Sequence, residues 1–202
     1  MEPPYSNATL NTIFTRRSIR QFQDKPVSDA LIQAVLDAAN QAPSAHNQQS
    51  WKFVVIRNEK KQDLARLVSK KAADFPKPSA SILRMAGRSI GSAPVVIAAM
   101  NTGTLIEHGT ELFNIEAEPA LDFFRTMEIQ SSAAAVENLL LAATALGLGS
   151  VWLGILFLIK RQVLSFLGEK QGEFMAVIPL GYPKRESSGP KKQALEYVVK
   201  NL

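Results

Sequence analysis

The sequence has no cysteine among its 202 residues and only two histidines, His46 and His108. The absence of cysteine excludes disulfide bonds, thiolate metal ligands and a cysteine nucleophile. It is also compatible with a reducing cytoplasm, the compartment that we expect. Neither histidine has a carboxylate at ligand spacing, so we expect no metal site. The sequence also lacks a Gly-x-Ser-x-Gly elbow and a complete Gly-x-Gly-x-x-Gly turn, which leaves a hydrolase triad and a Rossmann site unsupported. We therefore expect a cofactor, rather than a catalytic side chain, to carry the chemistry.

Targeting segments and basic blocks are also missing. The first residues lack a basic stretch followed by an apolar run, so no signal peptide is expected. The net charge is +5, but the basic residues occur as scattered pairs such as Lys60-Lys61 and Lys160-Arg161. No nucleic-acid motif accompanies them, and we expect a solvated surface without a nucleic-acid partner. A modest positive field still favours anionic ligands.

The composition is that of an ordinary soluble domain, with 46% hydrophobic and 20% charged residues. A chain of this length fits one domain with a sizeable core, and we assign residues 1–202 to it. One run, residues 139–159, has no charge over 21 positions and is long enough to cross a bilayer. Glycines within the run break a helix in water but are tolerated in lipid. From the residues alone, a buried helix followed by a turn and a membrane span both stay open.

Hydrophobic periodicity and turn residues predict a chain that mixes helices and strands. Helices are predicted from about Ser6, from Ser28 to about Gln41, and over residues 60–75, 131–146 and 160–167. Strands are predicted over residues 51–56, 93–100, 151–153 and 174–180, and the segment 195–199 is β-prone. Residues 101–125 show no clear period and fit either a mobile lid or a connecting loop with a short helix.

The stretch from Thr15 to Trp51 contains the groups best suited to a cofactor. It begins with the cluster Arg16-Arg17-Ser18-Ile19-Arg20. Arginine presents a rigid fork of donors that matches phosphate oxygens. After a helix comes the loop 42–51, which is rich in small residues and amides. Amide side chains carry donors and acceptors, so they can read the polar edge of a heterocycle. One end suits an anion and the other a polar ring, which together predict a nucleotide-like cofactor.

These residues resemble the FMN-dependent nitroreductase family. The likeness rests on Arg-Arg-Ser-Ile-Arg, on Ala-Pro-Ser-Ala-x-Asn-x-Gln-x-Trp, and on residues 147–153 and 180–183, which follow in the family's order. The resemblance implies an α+β fold: a three-layer sandwich with a central, mixed but mainly antiparallel sheet flanked by helices. It also implies an intertwined homodimer with a swapped C-terminal tail. Residues 131–154 then form a buried helix, a glycine turn and a strand, so no membrane span is expected.

The same resemblance implies which residues hold the cofactor. The arginine cluster would bind the FMN phosphate and ribityl chain, and the loop would reach FMN from the other subunit. The glycine segment would lie against the isoalloxazine, where a backbone N–H near N5 supports hydride transfer. A second phosphate-binding cation is expected near the C-terminus. The implied cofactor-binding residues are Arg16, Arg17, Ser18, Arg20, Pro43, Ser44, Ala45, Asn47, Gln49, Gly149, Trp152, Leu153, Gly154 and Lys192.

The function that the resemblance implies is FMN-dependent oxidoreduction. NADH or NADPH would reduce the flavin, which would then reduce a small electron-poor acceptor such as a nitroaromatic or quinone by ping-pong hydride transfer. Reductive dehalogenation and flavin fragmentation also occur in the family. A non-catalytic flavin-binding module and nucleic-acid binding through the basic surface are alternatives of other classes. Within the domain, residues 101–125 are the candidate lid and residues 193–202 the candidate swapped segment.

Overall fold

Four strands form the central sheet of the computed structural model, which describes residues 6–113, 117–169, 172–185 and 187–202. The sheet has the order β1-β2-β4-β3 and antiparallel strand pairs. A parallel bridge between Ser18 and Ser150 extends it at the β3 side, which makes the sheet mixed but mainly antiparallel, as predicted. The strands are β1 (Trp51–Ile56), β2 (Val95–Asn101), β3 (Gly149–Ser150) and β4 (Glu173–Gly181).

Helices cover both faces of this sheet. They are α1 (Ala8–Thr15), α2 (Asp29–Asn40), α3 (Asn58–Lys71), α4 (Ser79–Ser92), α5 (Thr104–Phe113), α6 (Ala117–Ala145) and α7 (Lys160–Leu167). Short 3-10 helices occur at Ala45–Asn47, Ala72–Asp74, Gly154–Ile159 and Leu195–Tyr197. Asn7 rather than Ser6 caps α1, because its side-chain oxygen accepts the N–H of Leu10 at 3.0 Å.

Alternate residues of β2 point to opposite faces, as the pleat of a strand requires. Val96 and Ala98 belong to an apolar core that includes residues of α3, α4 and α7. Val95, Ile97 and Ala99 belong to a second core that includes residues of α2 and α6. β2 is buried on both faces, which explains its continuous apolar sequence. The result is the predicted three-layer sandwich.

Two sequence predictions of local structure are wrong, and one segment is more regular than expected. Residues 101–125, which fitted either a lid or a connecting loop with a short helix, contain α5 and the first part of α6, with residues 114–116 outside the described ranges. The helix predicted from Ser131 begins at Ala117. Residues 151–153 are not a strand, because β3 ends at Ser150 and the 3-10 helix begins at Gly154. In addition, α4 was not predicted, although Leu83, Ala86 and Ile90 recur at helical spacing on its buried face.

The uncharged run 139–159 is divided between the end of α6, a turn, β3 and a 3-10 helix. Gly147 has a φ of +73° in this turn, a left-handed conformation that ends α6. Within the described ranges, no helix has the length and apolar character needed to cross a membrane. The C-terminal tail does not form the strand that its β-prone sequence favours. Leu195–Tyr197 form a 3-10 helix in the single chain.

Candidate functional site

The arginine cluster is held along the edge of the sheet next to β3. α1 ends at Thr15, and the extended segment that follows pairs with Ser150 through the N–H of Ile19, which donates to the Ser150 carbonyl at 2.9 Å. The close approach needs glycine at position 149, since a Cβ there would lie 2.8 Å from Ile19. The fold therefore brings the arginine cluster and the glycine segment together, as the site prediction requires.

A cavity of about 600 Å³ opens beside this junction. The cationic side chains among its lining residues are Arg20, Arg88, Lys184 and Arg185, and Ser18 also lines it. No carboxylate is among these lining residues of the described chain, so the local field is positive and suits an anion. Ser150 is buried, and its hydroxyl oxygen has no hydrogen-bond partner within the described ranges. Ser150 is next to the cavity lining only through its backbone bridge to Ser18, and a buried hydroxyl without a partner is uncommon in folded proteins.

Arg16 and Arg17 differ in their contacts. The Arg16 Nε lies 3.8 Å from the Glu137 carboxylate of α6, a distance that leaves its donors adaptable. The Arg17 Nε donates to the Ser188 carbonyl at 2.7 Å, and its Nη1 donates to the carbonyls of Phe14 and Arg16 at 2.6 and 2.8 Å. Arg17 thus uses most of its donors in hydrogen bonds to backbone carbonyls. These bonds link Ser188, which precedes the C-terminal tail, to the end of α1.

The loop from Pro43 to Gln49 has an unusual backbone. His46, Asn47 and Gln49 have φ values of +50°, +54° and +50°, a left-handed region that is uncommon for residues other than glycine. Ser44 stabilises the turn by accepting the Gln49 N–H at 3.0 Å, and the Gln49 side chain donates to the Asn47 side chain at 3.0 Å. Strained backbone of this kind is typical of ligand sites.

This loop is attached to α5 and α6. The Ala45 N–H donates to the Ser131 hydroxyl at 3.1 Å, and Ala45 packs against the cluster of Leu105 and Phe124. Pro43 and Asn47 are exposed, as they should be if the loop serves a neighbouring subunit. The contacts of the loop thus run to α5 and α6, whereas the backbone of the arginine cluster pairs with β3.

The remaining predicted residues are Trp152, Leu153 and Gly154, at the end of the glycine segment, and Lys192 near the C-terminus. Leu153 is buried, and its N–H donates to the Val177 carbonyl at 3.0 Å, so this amide is committed to the sheet. Trp152 is half-buried, whereas Gly154 is exposed, and a Cβ at Gly154 would lie in van der Waals contact with the Trp152 ring at 3.7 Å. Lys192 is exposed in the tail beyond the Arg17 anchor.

A buried carboxylate not singled out by the sequence, Glu128, lies behind the loop. Only 1% of this residue is exposed. Its Oε1 accepts the Leu105 N–H at 2.8 Å and its Oε2 accepts the Gly103 N–H at 3.2 Å. Burial raises the pKa of Glu128 above its ordinary value, backbone N–H groups oppose the rise, and the Glu173 charge adds to it.

Sequence reasoning also missed cations of the cavity. Arg88 lies on the unpredicted helix α4, and Lys184 and Arg185 follow directly after the Leu-Gly-Tyr-Pro motif in a stretch for which no site residue was predicted. The position of the last two next to that motif was the available signal, because the N–H of Lys184 donates to the Gln21 carbonyl at 3.0 Å and so keeps them beside the arginine cluster.

Known proteins share both the sequence pattern and the architecture. Residues 13–182 match the pattern of the Nitroreductase family. An Archaeoglobus fulgidus protein with the provisional name NADH dehydrogenase/NAD(P)H nitroreductase is 34% identical over 181 residues, which is 88% of this chain and 86% of that protein.

Two crystal structures resemble the fold along nearly the whole chain. One, from Desulfovibrio desulfuricans, is described as a nitroreductase in complex with FMN; it is 29% identical, covers 98% of this chain and 99% of its own, and has a TM-score of 0.74. The other, a BluB-like flavoprotein from Clostridium difficile, is 27% identical, covers 96% of this chain and 98% of its own, and has a TM-score of 0.73.

Proposed function

This chain belongs to the nitroreductase family, and on that premise we propose that it binds FMN and transfers electrons from NADH or NADPH to a small electron-poor acceptor. Nitroaromatics and quinones are the proposed acceptor classes. The observation that carries the proposal is the positive cavity beside the junction of the arginine cluster with β3.

The residues at this junction fit FMN. Ser18 and Arg20 line the cavity and would hold the phosphate and ribityl chain together with the neighbouring Arg16, and Arg185 adds positive charge at the cavity wall. Of the remaining predicted ligands, Arg17 would contribute only the donors that its backbone contacts leave over.

The flat ring would lie against the glycine segment. Gly149 allows the backbone to approach Ile19 closely, and Gly154 leaves an exposed backbone without a side chain beside Trp152. Leu153 would support this surface from the protein interior, because it is buried and its N–H is hydrogen-bonded to Val177 of β4. When bound, FMN supplies the redox chemistry, taking hydride from NAD(P)H and passing it to the acceptor in a separate, ping-pong half-reaction.

We propose a homodimer in which the loop Pro43–Gln49 completes the partner's site. The support is an apolar groove of about 500 Å³ between α1, α2 and α6, lined in part by Ile13, Leu141 and Ala142. Leu10, Ile13 and Phe14 of α1 are largely exposed beside it, and an apolar surface of this size favours a protein partner. Tyr197 in the tail is 74% exposed, so residues 193–202 are proposed to pack on the partner, with Lys192 delivered to the flavin phosphate.

We propose that α5 and the first turns of α6 form the lid over the acceptor. Leu121 and Phe123 are about half exposed there, which gives an apolar surface for an aromatic acceptor. The lid would thus consist of helices rather than of an irregular loop. Ala45 of the loop packs against Leu105 of α5 and Phe124 of α6, which supports a lid close to the site that the loop is proposed to complete.

An absorbance spectrum of the purified protein tests the function. We expect flavin bands that bleach when NADH or NADPH is added without oxygen and return when a quinone is added. Mass analysis of the released cofactor should give FMN, since the arginine cluster provides for one phosphate and the sequence has no glycine-rich pyrophosphate turn. Bound flavin that NAD(P)H does not bleach would instead identify a binding module, and no flavin after supplementation would refute the proposal.

A further inference from the structure

We propose that Glu128 is a positioning residue that couples the start of α5 to the cofactor-facing loop. The inference rests on the proposed function, because it concerns the loop that would complete the partner's FMN site. Its basis is a chain of contacts from α5 through α6 to Ala45, all within one subunit.

The first contact is between the Glu128 carboxylate and the N-terminus of α5. The two oxygens accept N–H groups of Gly103 and Leu105, and the backbone of Ile106 also hydrogen-bonds to this carboxylate. The first N–H groups of a helix have no partner within the helix, so an acceptor here fixes where the helix begins. Gly103 has a φ of +86°, which lets the chain turn sharply from β2 into the reach of the carboxylate.

The second contact passes from α5 to the loop. Leu105, fixed by Glu128 through its own N–H, is 1% exposed and packs with Phe124 in the cluster against which Ala45 lies. Little freedom exists in this packing, because a Cβ at Gly109 would meet the Phe124 ring at 2.5 Å. A shift of the α5 start would therefore move the surface that supports Ala45.

The third contact ties the same loop directly to α6. Ser131 lies three residues after Glu128, so both side chains project from the same face of the helix. The Ser131 hydroxyl accepts the Ala45 N–H at 3.1 Å and donates to the Met127 carbonyl at 2.7 Å. Glu128 and Ser131 thus stabilise the two contacts of Ala45, the first through Leu105 and the second by a direct hydrogen bond. Three residues with positive φ lie within the next four positions, and their conformation is costly unless such contacts stabilise it.

The burial of Glu128 is the reason to assign it more than a capping role. A solvent-exposed Asp, Asn or Ser would cap α5 without the free-energy cost of burying a carboxylate. The buried position places the carboxylate between β2, α5 and α6, where one group contacts the elements on which the loop rests.

Amide hydrogen exchange on the apoprotein tests the coupling without depending on flavin. In Glu128→Ala we expect exchange at Leu105 and Ile106 to rise by about tenfold or more, the change that corresponds to losing a hydrogen bond to a charged group. Exchange at Ala45 and through Gln49 should rise with it. Faster exchange at residues 103–106 with an unchanged loop would overturn the proposal.

Two further variants separate coupling from general destabilisation. Glu128→Gln keeps the size and one carbonyl acceptor, so its exchange should fall between wild type and Glu128→Ala; it also serves if the alanine variant does not fold. Glu107→Gln removes an equal charge from an exposed position in the first turn of α5 and should leave the loop unchanged. Equal loop exchange in both glutamine variants would overturn the proposal.

Flavin binding supplies the functional readout. For Glu128→Gln we expect FMN to bind about threefold to tenfold more weakly, while NAD(P)H reduces the flavin-saturated enzyme at a rate within about twofold of wild type. A weaker FMN affinity with an unchanged rate of flavin reduction indicates that the loop is misplaced, whereas general unfolding would lower both the affinity and the rate. If the wild type binds no flavin, the proposed function fails, and the exchange experiment still decides whether Glu128 controls the loop.

Discussion

Arg125 and Glu173 form a bidentate ion pair, in which the Arg125 Nε and Nη2 donate to the two carboxylate oxygens at 2.9 and 2.6 Å. The pair joins the first half of α6 to the start of β4. Lys160 of α7 adds a longer contact to the same carboxylate, at 3.9 Å. Glu173 of β4 therefore connects α6, whose first turns belong to the proposed lid, to the sheet and to α7.

Substitution of Arg125 should loosen this attachment. In Arg125→Gln we expect the free energy of unfolding to fall by about 0.5–1 kcal/mol, because the pair has good geometry but Arg125 is partly exposed. Urea denaturation measures the change. Arg66→Gln, which removes an exposed pair with Asp63 on α3, is the matched control and should have a smaller effect. Equal losses in the two variants would contradict a special role for the Arg125 pair.

Arg16 should contribute to cofactor affinity. We expect Arg16→Ala to weaken FMN binding by about 1.5–3 kcal/mol, the scale of a lost charge-assisted hydrogen bond. Fluorescence titration of the apoprotein with FMN measures the dissociation constant. Arg57→Ala is the control, because Arg57 pairs with Asp29 at the start of α2 and lies outside the arginine cluster. An unchanged dissociation constant in Arg16→Ala would refute the assignment.

Removal of the tail should weaken the dimer and the flavin site together. A chain that ends before Gln193 loses the exposed apolar residues of the tail, so we expect more monomer in sedimentation and lower flavin absorbance per chain. Ile82→Ser, a change at an exposed apolar residue of α4, should alter neither. A truncated monomer that keeps its full flavin would show that the site is built within one subunit.

Glu128 should make stability depend on pH. Its pKa is raised in the folded state, so the folded protein binds the proton more tightly than the unfolded chain does. This contribution to stability is fully present below the ordinary glutamate pKa of about 4.5 and is lost as the pH rises through the raised value. Glu128→Gln lacks the titrating group, so unfolding curves of the two proteins across this range should converge at low pH and separate above it. Parallel pH profiles would contradict the prediction.

The sequence predicted those features of the fold that depend on local pattern. The strands β1, β2 and β4 were visible because runs such as Trp-Lys-Phe-Val-Val-Ile are typical of strands, and α2 was visible from its cap at Ser28 and its apolar spacing. α4 was missed because small residues such as Ala86, Gly87 and Gly91 dilute its apolar periodicity. Those small residues serve tertiary packing: a Cβ at Gly87 would lie 2.3 Å from the Ser69 hydroxyl, so α3 and α4 approach closely.

The candidate site could be predicted only where residues that are close in sequence form a recognisable pattern. The Arg16–Arg20 cluster and the Gly149 turn form recognisable patterns, and the fold does bring them together. Arg88, Glu128 and Ser131 become significant only through contacts with residues distant in sequence, such as the contact of Ser131 with Ala45. Arg17 was predicted as a ligand from its place in the cluster, and its carbonyl partners became visible only in three dimensions.

The Arg17–Ser188 contact fixes one end of the segment formed by residues 189–202. These 14 residues extend at most about 45–50 Å. A domain of this size has a radius of gyration of about 16–17 Å. The segment is therefore long enough to reach an adjoining molecule and long enough to fold back over its own. In the proposed dimer, protein concentration should then decide which of these two surfaces the segment covers.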